Sequence, residues 1–304
     1  MSEWEEPGFL AAATHWVEAR LADLGLERCG AVEQPHVYPW STVLRVPTPG
    51  GPVWFKANAA PYAHEAALVE ELAATHGHLV PPLLARDPAR GWMLLADAGP
   101  TLRTVTEEAA WLAGWREVLP AYAALQVAWA DRATGLLALG LPDRRLGTLV
   151  EGYHALLDAV GAERRFHEAV PYVARLVERV AAGGVPETVQ HDDLHDGQIF
   201  GGPGSYRLLD WGDACLSHPF FTLSVSLEGV VAWGLADQPD SVGLDDYVAA
   251  YLAPFRAAYG DQVAALVPDA LRLGWVCRAV NGYQPGEEER TLTRLRMFLD
   301  GRPD

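Results

Sequence analysis

The structural signals in this chain are unevenly distributed, and that limits its fold more than any other feature. Ahead of Ala98, helix and strand patterns alternate. From Thr106 to Val180 the periodicity is helical, with no strong strand. A chain written this way gathers its main sheet at one end and its helices at the other, which is an α+β arrangement. Phe9 to Leu26 has apolar residues at helical spacing. Val43, Leu44 and Val46, then Val53, Trp54 and Phe55, form two β-type runs around Thr48-Pro49-Gly50-Gly51. That turn predicts a hairpin, its second strand ending at Lys56. A helix is expected from Tyr62 to His76, stopped by Gly77, and a short strand from Trp92 to Leu95 runs into Gly99-Pro100. The break sets the expected domains: a small lobe, 1–97, and a larger, mainly helical lobe, 98–304. In the second, "ETVQ" and "YRLLD" read as short strands flanking 191–213, and the remainder is helical.

Lys56 is the only lysine; the other 22 basic residues are arginine. Wherever any cation serves, this chain uses arginine, so a retained lysine points to a site shaped for a compact ammonium. The net charge is −17. A balance this acidic argues against nucleic acid and anionic membrane as partners, since both are held by clustered positive charge. The three cysteines are far apart, without the spacing of a zinc knuckle. The start, "MSEWEEPGF", lacks a signal-peptide pattern. The longest apolar stretch, Phe220 to Ala236, carries Glu228 and two glycines, which suits a buried helix better than a membrane span. The expected compartment is the cytoplasm.

"QHDDLHDGQIF", from Gln190, sets His191, Asp193 and Leu194 in the register of the protein-kinase catalytic loop H-R-D-L-x-x-x-N, with Gln198 in the place of Asn. Asp210-Trp211-Gly212 follows with the shape of D-F-G, and "VWFK" has the shape of V-A-I-K. Phosphoryl transfer asks for positioning and charge stabilisation rather than covalent chemistry. One loop carboxylate, Asp193, would accept the acceptor hydroxyl's proton or orient that hydroxyl. A side-chain carbonyl, Gln198, and a second carboxylate, Asp210, would ligate Mg²⁺. Lys56 would meet the phosphates, held by a carboxylate on the next helix, Glu65.

Together these motifs resemble the aminoglycoside phosphotransferase family, whose members typically carry H-G-D-x-H-x-x-N followed by a strand ending in I-D-[FW]-[GE]. Here the stretches are "HDDLHDGQ" and "LLDWGDA". Motif support covers about residues 30 to 235. The resemblance implies a two-lobed protein-kinase-like fold, with an antiparallel sheet and one key helix in the small lobe. It implies a small-molecule kinase using ATP or GTP with Mg²⁺, and a small-molecule hydroxyl acceptor such as an aminoglycoside or amino sugar. By the same resemblance "LLADAG", with Leu95 and Asp97, links the lobes where the base meets backbone groups, and "YPWSTV", with Ser41 and Thr42, takes the place of the nucleotide-covering loop. Asp192 stands where Gly or Arg is usual and tilts expectation towards an amine-bearing acceptor. No G-x-G-x-x-G occurs. No A-P-E follows "DWG", which argues against a protein kinase.

Other candidates carry two readings each. His195, Asp213 and Glu228 could touch the acceptor, or brace the loop, the turn and the helix around them. His191 reads as a loop brace, Arg278 as a structural ion pair, and His218-Pro219 as a cap. A zinc hydrolase using His191 and His195 is the remote alternative, though H-E-x-x-H chemistry needs both imidazoles on one helix face. A non-catalytic nucleotide-binding pseudokinase is the nearer one; Gln198 is its best support.

Overall fold

The structure, a computed structural model, describes residues 3–231 and 243–301. The chain forms two compact units. Met1–Pro100 and Phe200–Gly212 make the first, Thr101–Ile199 and Asp213–Asp304 the second.

In the first unit, helix α1 (Pro7–Asp23) precedes β1 (Glu33–Tyr38), β2 (Ser41–Thr48) and β3 (Gly51–Asn58). A 3-10 turn at Ala60–Tyr62 leads into α2 (Glu65–His76), then β4 (Leu83–Asp87) and β5 (Trp92–Ala96). The strands form one antiparallel sheet in the order β1-β2-β3-β5-β4. Successive side chains of a strand point to opposite faces. Val53, Phe55 and Ala57 of β3 are buried with Leu44, Val46, Trp92 and Leu94, together with Ala13, Val17 and Leu21 of α1. Phe55, Trp92, Phe9 and Trp16 meet edge-on or tilted in this layer. The alternation therefore turns Lys56 to the other face.

The predicted hairpin forms, but β3 continues past Lys56 to Asn58, so the lysine lies inside the strand. The sequence reading missed β1 and β4, the two edge strands. β1 contains Pro35, which the unpaired side of an edge tolerates and a central strand does not.

The second unit begins with five helices: α3 (Glu108–Ala128), α4 (Ala133–Ala138), α5 (Leu146–Ala159), α6 (Arg164–Glu168) and α7 (Val170–Ala181). Strand β6 (Thr188–Gln190) leads into the loop at 191–195. The hairpin β7 (Ile199–Phe200) and β8 (Arg207–Leu208) follows, then β9 (Cys215–Ser217), which pairs antiparallel with β6. Helices α8 (Asp245–Tyr259), α9 (Val267–Asn281) and α10 (Glu288–Asp300) complete the unit. The segment 200–212, given to the larger lobe on sequence, packs with the first unit. There Leu208 N–H donates to the Leu79 carbonyl at 2.7 Å. The apolar stretch from Phe220 is not one α-helix. A 3-10 turn at Pro219–Phe221 gives way to a π-helical segment, Ser224–Val231; positions 232–236 lie outside the described residues.

Candidate active site

Each unit carries a largely buried cation held between carboxylates. In the first, Lys56 Nζ lies 2.6 Å from Glu65 Oε2 and 2.5 Å from Asp210 Oδ1. The Lys56 side chain is 11% exposed, that of Glu65 1%, and that of Asp210 49%. Burial alone would pull the ammonium down; Asp210 and Glu65 outweigh it and hold Lys56 above the usual lysine value. Glu65 sits at the start of α2, where a carboxylate also suits the helix dipole. Its Oε1 accepts from Trp211 N–H at 2.9 Å and its Oε2 from Asn58 Nδ2 at 2.7 Å. A buried carboxylate needs such partners, and Glu65 has them from β3 and from the segment at Trp211.

In the second unit the loop after β6 carries Asp192 and Asp193. Arg278 of α9, 3% exposed, reaches both: Nη1 lies 3.2 Å from Asp192 Oδ2 and Nη2 lies 2.7 Å from Asp193 Oδ1. Nη1 is also 3.3 Å from Asp213 Oδ2. One turn further on, Asn281 Nδ2 donates to Asp192 Oδ2 and to the Asp213 carbonyl, each at 2.8 Å. Asn281 Oδ1 accepts from Arg144 Nε at 3.1 Å. Earlier in α9, Gly274 permits the helix's close approach: a Cβ there would lie 2.6 Å from the Phe221 carbonyl oxygen.

Among the described residues, Asp192 (φ 66°) and Asp210 (φ 62°) alone have positive φ without being glycine. Asp tolerates this region better than most residues, at a cost of about 1–3 kcal/mol that surrounding contacts must offset. Both aspartates are held by a cation.

Several expectations need correction. Asp192 is 1% exposed, and its contacts are Arg278, Asn281 and Gln190, whose side-chain oxygen takes the Asp192 backbone N–H. Burial pushes its carboxyl up, opposed by Arg278. It is a braced internal group, so its expected part in acceptor binding falls, and with it the tilt towards an amine. Thr42 is fully buried; its hydroxyl donates to the His36 carbonyl at 2.8 Å and accepts from Gln34 Nε2 at 2.9 Å, which commits it to the sheet rather than to a phosphate. Ser41 is buried opposite Asn58 in the β2–β3 ladder. His191 and His195 stand on a loop rather than a helix, so the geometry for H-E-x-x-H is absent.

The remaining candidates are placed as follows. Leu95 is buried in β5, while Asp97 is exposed and accepts from Trp54 Nε1 at 2.7 Å. His195 Nδ1 accepts from Gly197 N–H at 3.0 Å and faces Arg103 Nη2 at 3.1 Å, which leaves the ring proton on Nε2, 3.9 Å from Asp193 Oδ2. Burial lowers its pKa despite Asp193, so the ring stays neutral near pH 7. Gln198 ends the 3-10 turn that begins at Asp196, its Nε2 lying 3.5 Å from His195 Nε2. Glu228, half-buried, accepts from Trp275 Nε1 at 2.7 Å. Sequence reasoning assigned no role to Asn281 and gave Arg278 only an ion-pair role. The signal for Arg278 was a charge within an apolar helix.

Two hard oxygen donors suit a divalent cation such as Mg²⁺: the half-exposed Asp210 carboxylate in the first unit and the Gln198 amide oxygen in the second. Asp192 and the thiols of Cys215 and Cys277 also gather closely, but all three are buried and the Asp192 oxygens are already engaged. No described helix is long and apolar enough to cross a membrane.

No protein-family model matches this chain, and no curated protein does. Solved structures do. The ethanolamine kinase of Plasmodium vivax superposes with a TM-score of 0.69 at 10% identity, over 98% of this chain and 91% of that one. A macrolide 2'-phosphotransferase type I gives 0.59 at 16% identity, over 93% and 95%. The streptomycin–ATP–APH(2'')-IIa ternary complex gives 0.56 at 10% identity, over 93% and 97%. The chain therefore has the protein-kinase-like fold found in small-molecule kinases. At these identities the likeness is one of fold.

Proposed function

We propose that this protein is a phosphotransferase that moves the γ-phosphate of ATP or GTP to a hydroxyl of a small molecule. The observation that carries the reading is Lys56 fixed between Glu65 and Asp210. This is the chain's one lysine, on the face of the sheet opposite the α1 core layer, held by a buried carboxylate and a half-exposed one. The arrangement presents an ammonium and a hard oxygen ligand side by side, as a triphosphate and its metal require.

In this reading Lys56 contacts donor phosphates, and Glu65 sets its position. Asp210 and Gln198 would each offer Mg²⁺ an oxygen, and the bound metal would supply charge neutralisation on the donor. Asp193, 23% exposed, accepts or orients the acceptor hydroxyl's proton. Leu95 and Asp97 lie where the nucleotide base is bound, and the turn between β1 and β2 covers the phosphates with backbone groups. Asp213 and Glu228 face the acceptor. That known neighbours act on ethanolamine and macrolides supports a small-molecule acceptor; the bound ATP in a third supports the donor.

The test is calorimetric titration with ATP and then GTP, with and without Mg²⁺, followed by ADP release with a panel of hydroxyl acceptors. Metal-dependent binding and acceptor-dependent ADP release are expected. No binding of either nucleotide in either condition overturns the reading.

A further inference from the structure

We infer that Arg278 is a positioning residue for the phosphotransfer step: its guanidinium holds the Asp193 carboxylate in place for the acceptor hydroxyl. The inference rests on the phosphotransferase reading above.

A guanidinium is planar and forked, with donors at fixed angles. Arg278 is buried and its planar fork reaches three carboxylates, Asp193 at 2.7 Å, Asp192 at 3.2 Å and Asp213 at 3.3 Å. Charge-assisted bonds of this kind fix direction as well as distance. The bond from Nη2 goes to Oδ1 of Asp193 at 2.7 Å, and Oδ2 lies 3.9 Å from His195 Nε2. The charge-assisted bond restrains where the carboxylate sits, and a displacement of about 1 Å at such a group can cost about 100-fold in rate.

The bracket is itself rigid. Asp192, beside Asp193, is locked to Arg278 and Asn281. Asn281 also ties the Asp213 carbonyl, and Arg144 holds the Asn281 amide oxygen. Arg278 and Asn281 lie three apart on α9, on one helix face, so a single helix aligns the loop bearing Asp193 with the segment following Trp211-Gly212. Lysine can do only part of this, because one ammonium lacks the fork that serves Asp192 and Asp193 together.

The test compares wild type with Arg278→Met, Arg278→Lys and the double variant Asp192→Asn/Arg278→Gln. The double variant removes both buried charges and guards against misfolding, since loss of one partner alone leaves an unpaired buried charge. Thermal melting establishes that each is folded. Expected is a fall in kcat of about 100-fold for Arg278→Met and for the double variant, with nucleotide affinity by calorimetry unchanged, and partial recovery in Arg278→Lys. A purely structural arginine would lower the melting temperature and leave the kcat of the folded fraction alone. The proposal is overturned by folded variants whose kcat stays within about threefold of an active wild type. A wild type that releases no ADP with any acceptor overturns the phosphotransferase reading first, and the role of Arg278 with it.

Discussion

The two ion clusters solve one problem with different cations. Around Lys56, two carboxylates converge on a single Nζ, one buried and one half-exposed. Around Arg278, three carboxylates share the two ends of a fork that is almost wholly enclosed. The lysine is a compact point charge on a flexible stem and can still turn to a ligand. The arginine is a planar bracket whose donors are taken by the protein. The difference explains why a chain written in arginine keeps a lysine at only one place. In the proposed phosphotransferase reading the ammonium serves a phosphate that arrives, while the guanidinium holds what is already there.

The comparison can be broken in order of expected effect. Asp193→Asn should cut turnover by about 10²–10⁴-fold while leaving nucleotide affinity nearly unchanged, as seen by ADP release and calorimetry on the same sample. A variant with full activity removes Asp193 from the chemistry. Asp210→Ala should abolish the Mg²⁺ dependence of nucleotide binding; an unchanged affinity for Mg–ATP would count against its metal role. Lys56→Met strands the buried Glu65 carboxylate. Urea unfolding should show a loss of about 3–5 kcal/mol, with nucleotide binding lost as well. Lys56→Arg should restore part of the stability and little of the binding. Full recovery of both would erase the distinction drawn between the two cations.

A smaller effect sharpens the comparison through pH. His218, fully buried, caps the turn at Pro219–Phe221 by accepting from Phe220 N–H, and burial pushes its pKa down to about 3. The unfolded chain takes up this proton near pH 6.5 and the folded chain only near 3. Between those values the unfolded state holds more protons, so stability falls as pH falls, by up to about 1.4 kcal/mol per unit from this group. His218→Asn keeps a capping oxygen and should flatten that part of the pH–stability curve. An identical slope in wild type and variant refutes the assignment.

Much of this was legible in the order of residues. The hairpin at 43–55 followed from β-type runs around Pro-Gly-Gly, and the helix ending at His76 from its spacing and its glycine stop, although it begins at Glu65 rather than Tyr62. Lys56, Glu65 and Asp210 could be nominated because phosphate chemistry needs those types on a strand, a helix and a hairpin. The edge strands were illegible, because Glu33–Tyr38 carries a proline and mostly polar or exposed side chains. Asp192 misled for a different reason: sequence shows a charge beside Asp193 but not whether that charge is buried.

By itself, the sequence determined which chemistry the chain can hold and on which kinds of element, because periodicity and turn residues act locally. Only the tertiary structure decided who partners whom. Asp192 became a brace and Arg278 its bracket because residues of α9, 86 and 89 positions later in the chain, reach the loop after β6. Such pairing depends on packing between distant segments, where burial makes each unpaired charge too costly to leave alone.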